Sequence, residues 1–205
     1  LDSLAVYSLV CNNAFSNGLK SIEALPAITA SIPTLMNSPF ITSDLARNKF
    51  NSLASLLKNE NYNTSFFHGG IRGTMGFYSF SKKAGFQEYF GMEEYNNKSD
   101  FDGTWGIFEG PFFNFFANNL NKRKQPFFTT FFSLSSQPPY KLPDNYIFSK
   151  GFNVSENISL TSTIKYSDKS MSKFFHKIKK SSWFNNTIFI ITADHTSPVQ
   201  NNNKY

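Results

Sequence analysis

Two adjacent residues near the end of the chain, Asp194 and His195, follow the apolar run Thr187 to Ala193. A carboxylate oxygen and an imidazole nitrogen delivered together at the end of a buried strand can face one divalent ion. In a surface loop the same pair would do nothing special. Ser21 offers a hydroxyl at the start of a segment with helical spacing. There it lies near backbone N–H donors and the positive end of a helix dipole, a setting suited to a phosphate or a developing alkoxide. By position alone an ordinary N-cap serine is the simpler reading. A metal ion nearby would change that by lowering the hydroxyl pKa and polarising a phosphoryl oxygen. His68 closes a short extended run just before Gly69-Gly70, and Arg72 in the same loop offers a bidentate grip on phosphate. Trp105, flanked by Gly103 and Gly106, either shapes a pocket or only packs, and His176 reads as a boundary residue of an amphipathic helix.

The elements that must position these groups alternate between extended apolar runs and helix-period patterns, which predicts an α/β fold. Ala5 to Cys11 reads as a strand, with Cys11 as a small core residue. Ser21 to Ile32 has Ile22, Leu25, Ile28 and Ile32 on one helical face, with Pro26 tolerable only near the first turn. Ser43 or Asp44 is a plausible N-cap for an amphipathic helix running to about Asn59. Asn63 to His68 reads as a strand, Phe77 to Ala84 as a helix closed near Gly85, and Gly110 to Leu120 as a largely buried helix rich in Phe. Pro126 to Ser133 has the composition of a central strand covered on both sides and leads into the polar loop Ser135 to Pro139. Ser159 to Lys180 reads as a helix, Trp183 to Asn186 as a turn, and Thr187 to Thr192 as another buried strand. That strand would deliver Asp194 and His195 at its carboxyl end, where open α/β sheets bind ligands. A polar tail begins at Gln200.

With 205 residues and a hydrophobic fraction of 40%, the chain is sized for one domain with its own core. Leu1 to Val10 reads like the middle of a fold, so the polypeptide is expected to begin inside a larger gene product. No apolar stretch is long enough to cross a bilayer, and a single cysteine excludes an internal disulfide framework. The net charge of +6 comes from scattered lysines rather than a basic stripe, which argues against nucleic acid as a partner. It reads either as attraction to anionic lipids and phosphorylated substrates or as a compositional bias shared with abundant Asn and 25 Phe.

Several blocks, in order, resemble the lipoteichoic-acid-synthase and sulfatase-like branch of the alkaline phosphatase superfamily. They are Leu1 to Ala5, Asn13 to Ile28 around Ser21, Phe67-His68-Gly69, Asp102 to Gly106, Pro126-Phe127 leading to Leu134-Ser135-Ser136, and Trp183 to His195. The resemblance implies an alkaline-phosphatase-like fold, a mostly parallel sheet flanked by helices on both faces. It implies Ser21 as the nucleophile and a metal ligand, Asp194 and His195 as metal ligands, and His68 as a contact to a bound phosphoglycerol group. The alternative for His68 is a capping or loop histidine.

The family carries a further acidic metal ligand upstream of the nucleophile that this chain would lack, so residues 1–205 are expected to be a single truncated catalytic domain without the first strand and the C-terminal part. Gln137 stands where relatives often place a histidine near the substrate, and the residues after His68 do not reproduce the Trp-Asn-Arg feature of the lipoteichoic acid enzymes. No Cys-x-Pro-x-Arg motif surrounds Cys11, which speaks against a true sulfatase and leaves Ser21 for phosphoryl chemistry. The expected cofactor is one divalent ion, manganese before magnesium or zinc. The expected activity is a metal-dependent phosphotransferase of the bacterial cell envelope, anchored through segments outside this chain and facing away from the cytoplasm. It would transfer a phosphoglycerol-like group through a covalent Ser21 intermediate, from a phospholipid or a phosphorylated glycan; the alternatives are a phosphatase, phosphodiesterase or sulfatase-like hydrolase of the same superfamily and a non-catalytic envelope-binding descendant. Oligomeric state stays open.

Overall fold

The computed structural model describes residues 1–147 and 159–196. The helices are α1 (Asp2–Ala5), α2 (Ser21–Ala30), α3 (Leu53–Asn59), α4 (Phe77–Lys83), α5 (Met92–Tyr95), α6 (Glu109–Lys122) and α7 (Leu160–Ile178). The strands are β1 (Asn63–His68), β2 (Glu88–Phe90) and β3 (Phe127–Phe132). They form one parallel sheet in the order β2-β1-β3. Six consecutive pairs from Asn63↔Phe127 to His68↔Phe132 set the β1–β3 register, and Ser65↔Glu88 to Phe67↔Phe90 set that of β1–β2. Parallel strands need crossovers, here α4 between β1 and β2 and α6 between β2 and β3.

Alternation along β1 divides the core in two. Phe66 points to the side covered by α2, α3 and α4, where Leu25, Ala54, Phe77, Phe80, Ala84 and Phe86 surround it. Phe67 points to the other side, against Phe112, Phe113 and Phe116 of α6 and Phe174 and Ile178 of α7. Both rings are fully buried, and each such burial contributes about 2–3 kcal/mol. The sheet is therefore α/β with helices on both faces. Helices α6 and α7 run parallel: the Gly110 N–H donates to Tyr166 Oη near their starts, and Lys177 near the end of α7 reaches Asn118 at 2.7 Å.

Four expectations change. The helix expected from Ser43 or Asp44 to Asn59 is broken: a 3-10 turn at Asp44–Arg47 ends in extended Asn48, and α3 begins only after Ser52, whose hydroxyl accepts the Ser55 N–H. A polar side chain that caps a helix at 52 competes with continuing one through it. Helix α2 carries Pro26 as its sixth residue, beyond the first turn, and still runs to Ala30. β3 lies at the edge of the described sheet, with β1 central. Neither Ala5 to Cys11 nor Thr187 to Thr192 is a strand. Val6, Tyr7, Leu9, Ile188 and Ile190 are exposed, as is Cys11, because no described strand lies alongside to complete a ladder. The tail from Gln200 lies outside the described residues.

Candidate active site

The hydroxyl of Ser21 donates to Asp194 Oδ2 at 2.6 Å, across 173 residues of sequence, and lies 3.3 Å from His195 Nε2. Asp194 Oδ2 and His195 Nε2 are themselves 3.3 Å apart. Ser21 is the first residue of α2 rather than its N-cap, which is Lys20. The backbone N–H groups of Leu19 and Lys20 donate instead to Glu23 Oε2, at 2.8 and 3.2 Å. The capping task thus falls to Glu23, and the Ser21 hydroxyl is left to face the carboxylate. Ile22 and Leu25 pack against the Phe66 side of the core and fix the helix behind it. The opposite partner arrives on an exposed run held by Phe189, whose ring packs on Phe175 and Phe184.

His195 Nδ1 lies 2.8 Å from the Thr196 carbonyl, which can only accept, so Nδ1–H donates there and Nε2 is the ring nitrogen that faces Ser21 and Asp194. The single Ser21 hydrogen points to Asp194. Oδ2, Nε2 and the Ser21 hydroxyl thus lie 2.6 to 3.3 Å from one another, close enough to face one cation. Ligands about 2.0–2.2 Å from one such ion lie roughly 3 Å apart, and a neutral imidazole whose other nitrogen donates to a carbonyl is the form that binds metal. The oxygen, oxygen and nitrogen donors present therefore fit a divalent ion. No group of three His, Cys, Asp or Glu side chains gathers among the described residues.

His68, the last residue of β1, is fully buried. Its Nδ1 lies 3.0 Å from the Tyr89 hydroxyl, and its Nε2 has no partner. Burial lowers its pKa from 6.5 to about 4, so the ring is neutral. Beyond it the main chain is tightly packed. A Cβ on Gly70 would come within 2.7 Å of His68 Cε1, and one on Gly106 within 2.7 Å of both the Gly69 carbonyl carbon and Leu134 Cδ1. The 102–106 loop is pinned by Asp102 Oδ1, which accepts from the N–H of Thr104, Trp105 and Gly106 at 2.7, 2.7 and 3.1 Å. The indole N–H of Trp105 donates to the Pro138 carbonyl at 2.6 Å and ties this loop to the one after β3. Gln137 sits half-buried in that second loop, its carbonyl accepting from the Tyr140 N–H. Arg72 is engaged elsewhere: its guanidinium pairs with Glu94 and lies 4.9 Å over the Tyr78 ring. His176 is exposed, its Nδ1 donating to the Ser172 carbonyl.

Three residues that matter here were not singled out in the sequence. Glu23 sits three residues after the N-cap, a spacing that signals a reciprocal cap. Glu109, a lone acid before a Phe-rich helix, is buried and accepts at Oε1 from the N–H of Leu134 and Ser135, both at 2.7 Å, and at Oε2 from Ser167 Oγ at 3.0 Å. It anchors the loop that carries Gln137. Tyr89 lies in a three-residue strand too short to show a period.

A family model described as Sulfatase matches residues 1–205. The chain belongs to the sulfatase family. This sulfatase-family chain is 27% identical over 174 residues to lipoteichoic acid synthase 2 of Bacillus subtilis (strain 168), covering 84% of the chain and 26% of that protein. It is 25% identical over 170 residues to lipoteichoic acid synthase 1 of the same organism, covering 82% and 26%. The chain thus spans about a quarter of the length of these relatives. A crystal structure of a protein in the alkaline phosphatase superfamily from Vibrio parahaemolyticus matches with a TM-score of 0.72 at 28% identity, over 82% of this chain and 41% of that one. The lipoteichoic acid synthase LtaP from Listeria monocytogenes matches with a TM-score of 0.71 at 18% identity, over 83% and 43%. The fold is accordingly the alkaline-phosphatase-like α/β fold. Within the family, the residue at the head of α2 is Ser21 and not a cysteine of the Cys-x-Pro-x-Arg kind.

Proposed function

We propose that this chain carries the nucleophile and part of the metal site of a cell-envelope phosphotransferase, with Ser21 attacking phosphorus and Asp194 and His195 holding the ion. The carrying observation is the 2.6 Å hydrogen bond from Ser21 Oγ to Asp194, with His195 Nε2 3.3 Å from the same hydroxyl. Ser21, Asp194 Oδ2 and His195 Nε2 would hold a divalent ion, manganese before magnesium or zinc. When bound, that ion supplies Lewis acidity and neutralises charge on the phosphoryl oxygens. The Ser21 proton lies on the line to Asp194; its departure frees the oxygen to form the O–P bond while the bond from phosphorus to the leaving alcohol breaks and that alcohol takes up a proton. The positive end of α2, a ten-residue helix, favours the negative charge that gathers there.

The resulting phosphoseryl or glycerophosphoseryl group passes to the hydroxyl of a glycan or lipid, which restores Ser21. Water as the acceptor would make the same site a phosphodiesterase or phosphatase. Likeness to lipoteichoic acid synthases supports an anionic phospholipid as donor, a membrane setting and an extracytoplasmic catalytic domain. His68 Nε2, Trp105 and Gln137 are the proposed substrate contacts. Arg72 is a further proposed contact; its pairing with Glu94 uses one Nη and leaves other N–H donors of the guanidinium for a phosphate.

The test uses full-length protein, a chromogenic phosphodiester and added manganese. Ser21→Ala should reduce turnover by about a thousandfold or more while circular dichroism and melting stay as in the parent. Chelation should abolish turnover and manganese restore it. Undiminished turnover in Ser21→Ala would remove the proposed nucleophile.

A further inference from the structure

We propose that Tyr89 is a positioning residue whose hydroxyl locks His68 in the tautomer that offers Nε2–H to a phosphoryl oxygen. The inference rests on the reading of His68 as a substrate contact and adds the residue that sets its chemistry. Both side chains are buried, and the phenol oxygen is 3.0 Å from Nδ1. Two arrangements of the hydrogen between them are possible, and the count of stranded groups separates them.

If Nδ1–H donated to the phenol oxygen, the tyrosine hydrogen would have no acceptor among the described residues, and the bare Nε2 would have no donor. Two buried groups would then be stranded. If the tyrosine O–H donates to Nδ1, only Nε2–H is left without a partner. Stranding a buried polar group is costly, so the second arrangement prevails. Burial, and after it Glu93, push the Tyr89 phenol far above its ordinary value, with Arg72 opposing, so the hydroxyl keeps its hydrogen throughout the physiological range. The neutral imidazole at a pKa of about 4 cannot supply a second proton at Nδ1.

The one remaining donor, Nε2–H, belongs to a ring that cannot turn freely. Phe77 packs on it edge to face at 5.0 Å, Phe132 at 5.7 Å, and the Gly70 main chain lies against its Cε1 edge. Phe66, Phe77 and Phe132 belong to the core cluster on which Ile22 and Leu25 of α2 also rest. A fixed neutral donor suits an acceptor-only partner such as an ionised phosphodiester oxygen, and it discriminates against a ligand hydroxyl that must itself donate.

In nitrogen-15 histidine spectra of the full-length protein, the signals of His68 are those that vanish in His68→Gln. In the unaltered protein His68 should show a protonated Nε2 and a bare Nδ1. Tyr89→Phe should let the tautomers mix and raise KM for bis(p-nitrophenyl) phosphate by about three- to tenfold, with kcat little changed. His68→Gln should raise KM at least as far, and adding Tyr89→Phe to it should add nothing. A proton on Nδ1 in the unaltered protein would overturn the role of Tyr89 even if His68→Gln still raised KM. The expected tautomer with no change of KM in either variant would instead overturn His68 as a substrate contact, and the Tyr89 proposal with it.

Discussion

Two apolar runs of similar composition meet opposite fates. Phe127 to Phe132 pairs along its whole length with β1 and packs Phe131 between Phe112, Phe113 and Phe116. Thr187 to Ala193 makes no ladder with any described strand, and Ile188 and Ile190 are 89% and 83% exposed. Among its residues, Phe189 packs on Phe175, Trp183 and Phe184, and Thr187 bonds back to the Trp183 and Phe184 carbonyls. Apolar, β-branched composition fits a pleated surface but does not create one; a neighbour must supply the hydrogen bonds and a helix must supply the cover. The second run still delivers Asp194 to Ser21, so the meeting of the site's side chains is not conditional on strand pairing there.

Phe67→Ala tests the well-packed half most severely. It should cost about 3–5 kcal/mol in denaturant unfolding, and a loss below 1 kcal/mol would mean the Phe67 face is not a formed core. The next largest effect lies at the end of β1. His68 is neutral when folded, with a pKa of about 4 against 6.5 when unfolded. The unfolded chain therefore binds the extra proton first, so this contribution is complete above pH 6.5 and is lost as pH falls toward 4, about 3 kcal/mol in all. Stability curves of the parent and His68→Gln should converge across that window.

Glu109 has the opposite sign. Burial raises its pKa above the ordinary 4.5 despite bonds from Ser135, Leu134 and Ser167. The folded chain then holds the proton more tightly, and stability declines as pH rises past the ordinary carboxylate value toward the raised one. Glu109→Gln should flatten that decline, whereas Glu109→Ala, which strands two buried N–H groups, should cost about 2 kcal/mol. The smallest effect is expected in the exposed run: Ile190→Ala should change stability by less than about 0.5 kcal/mol. A loss comparable to that of Phe67→Ala would erase the contrast between the two runs.

Long periodic or continuous signals foretold some elements and failed at others, the expected helix to Asn59 and the expected strand Thr187 to Thr192 among the failures. β1, β3, α6 and α7 were legible because Phe and aliphatic residues repeat over enough positions to fix a period. The break at Ser52 was not, since a capping hydroxyl looks like any polar residue on a helix surface until its partners are known. β2 was too short to read. The approach of Ser21 to Asp194 spans 173 positions, and no local pattern encodes such a contact. It was anticipated only through the collinear likeness to a known family. The pairing of Arg72 with Glu94 was missed for the same reason: which acid a guanidinium finds is decided by a fold, not by spacing.

The packing of Gly69 and Gly70 against Gly106 and the Trp105 carbonyl has a further consequence. There the spacing beside His68 is set by peptide against peptide, so no side chain exists to be trimmed and none can be added without prising two loops apart. Shortening a residue, the usual way to enlarge a binding cleft, has nothing to act on at that wall. Gly73, with open space around its missing Cβ, is where a substitution library should find room to vary.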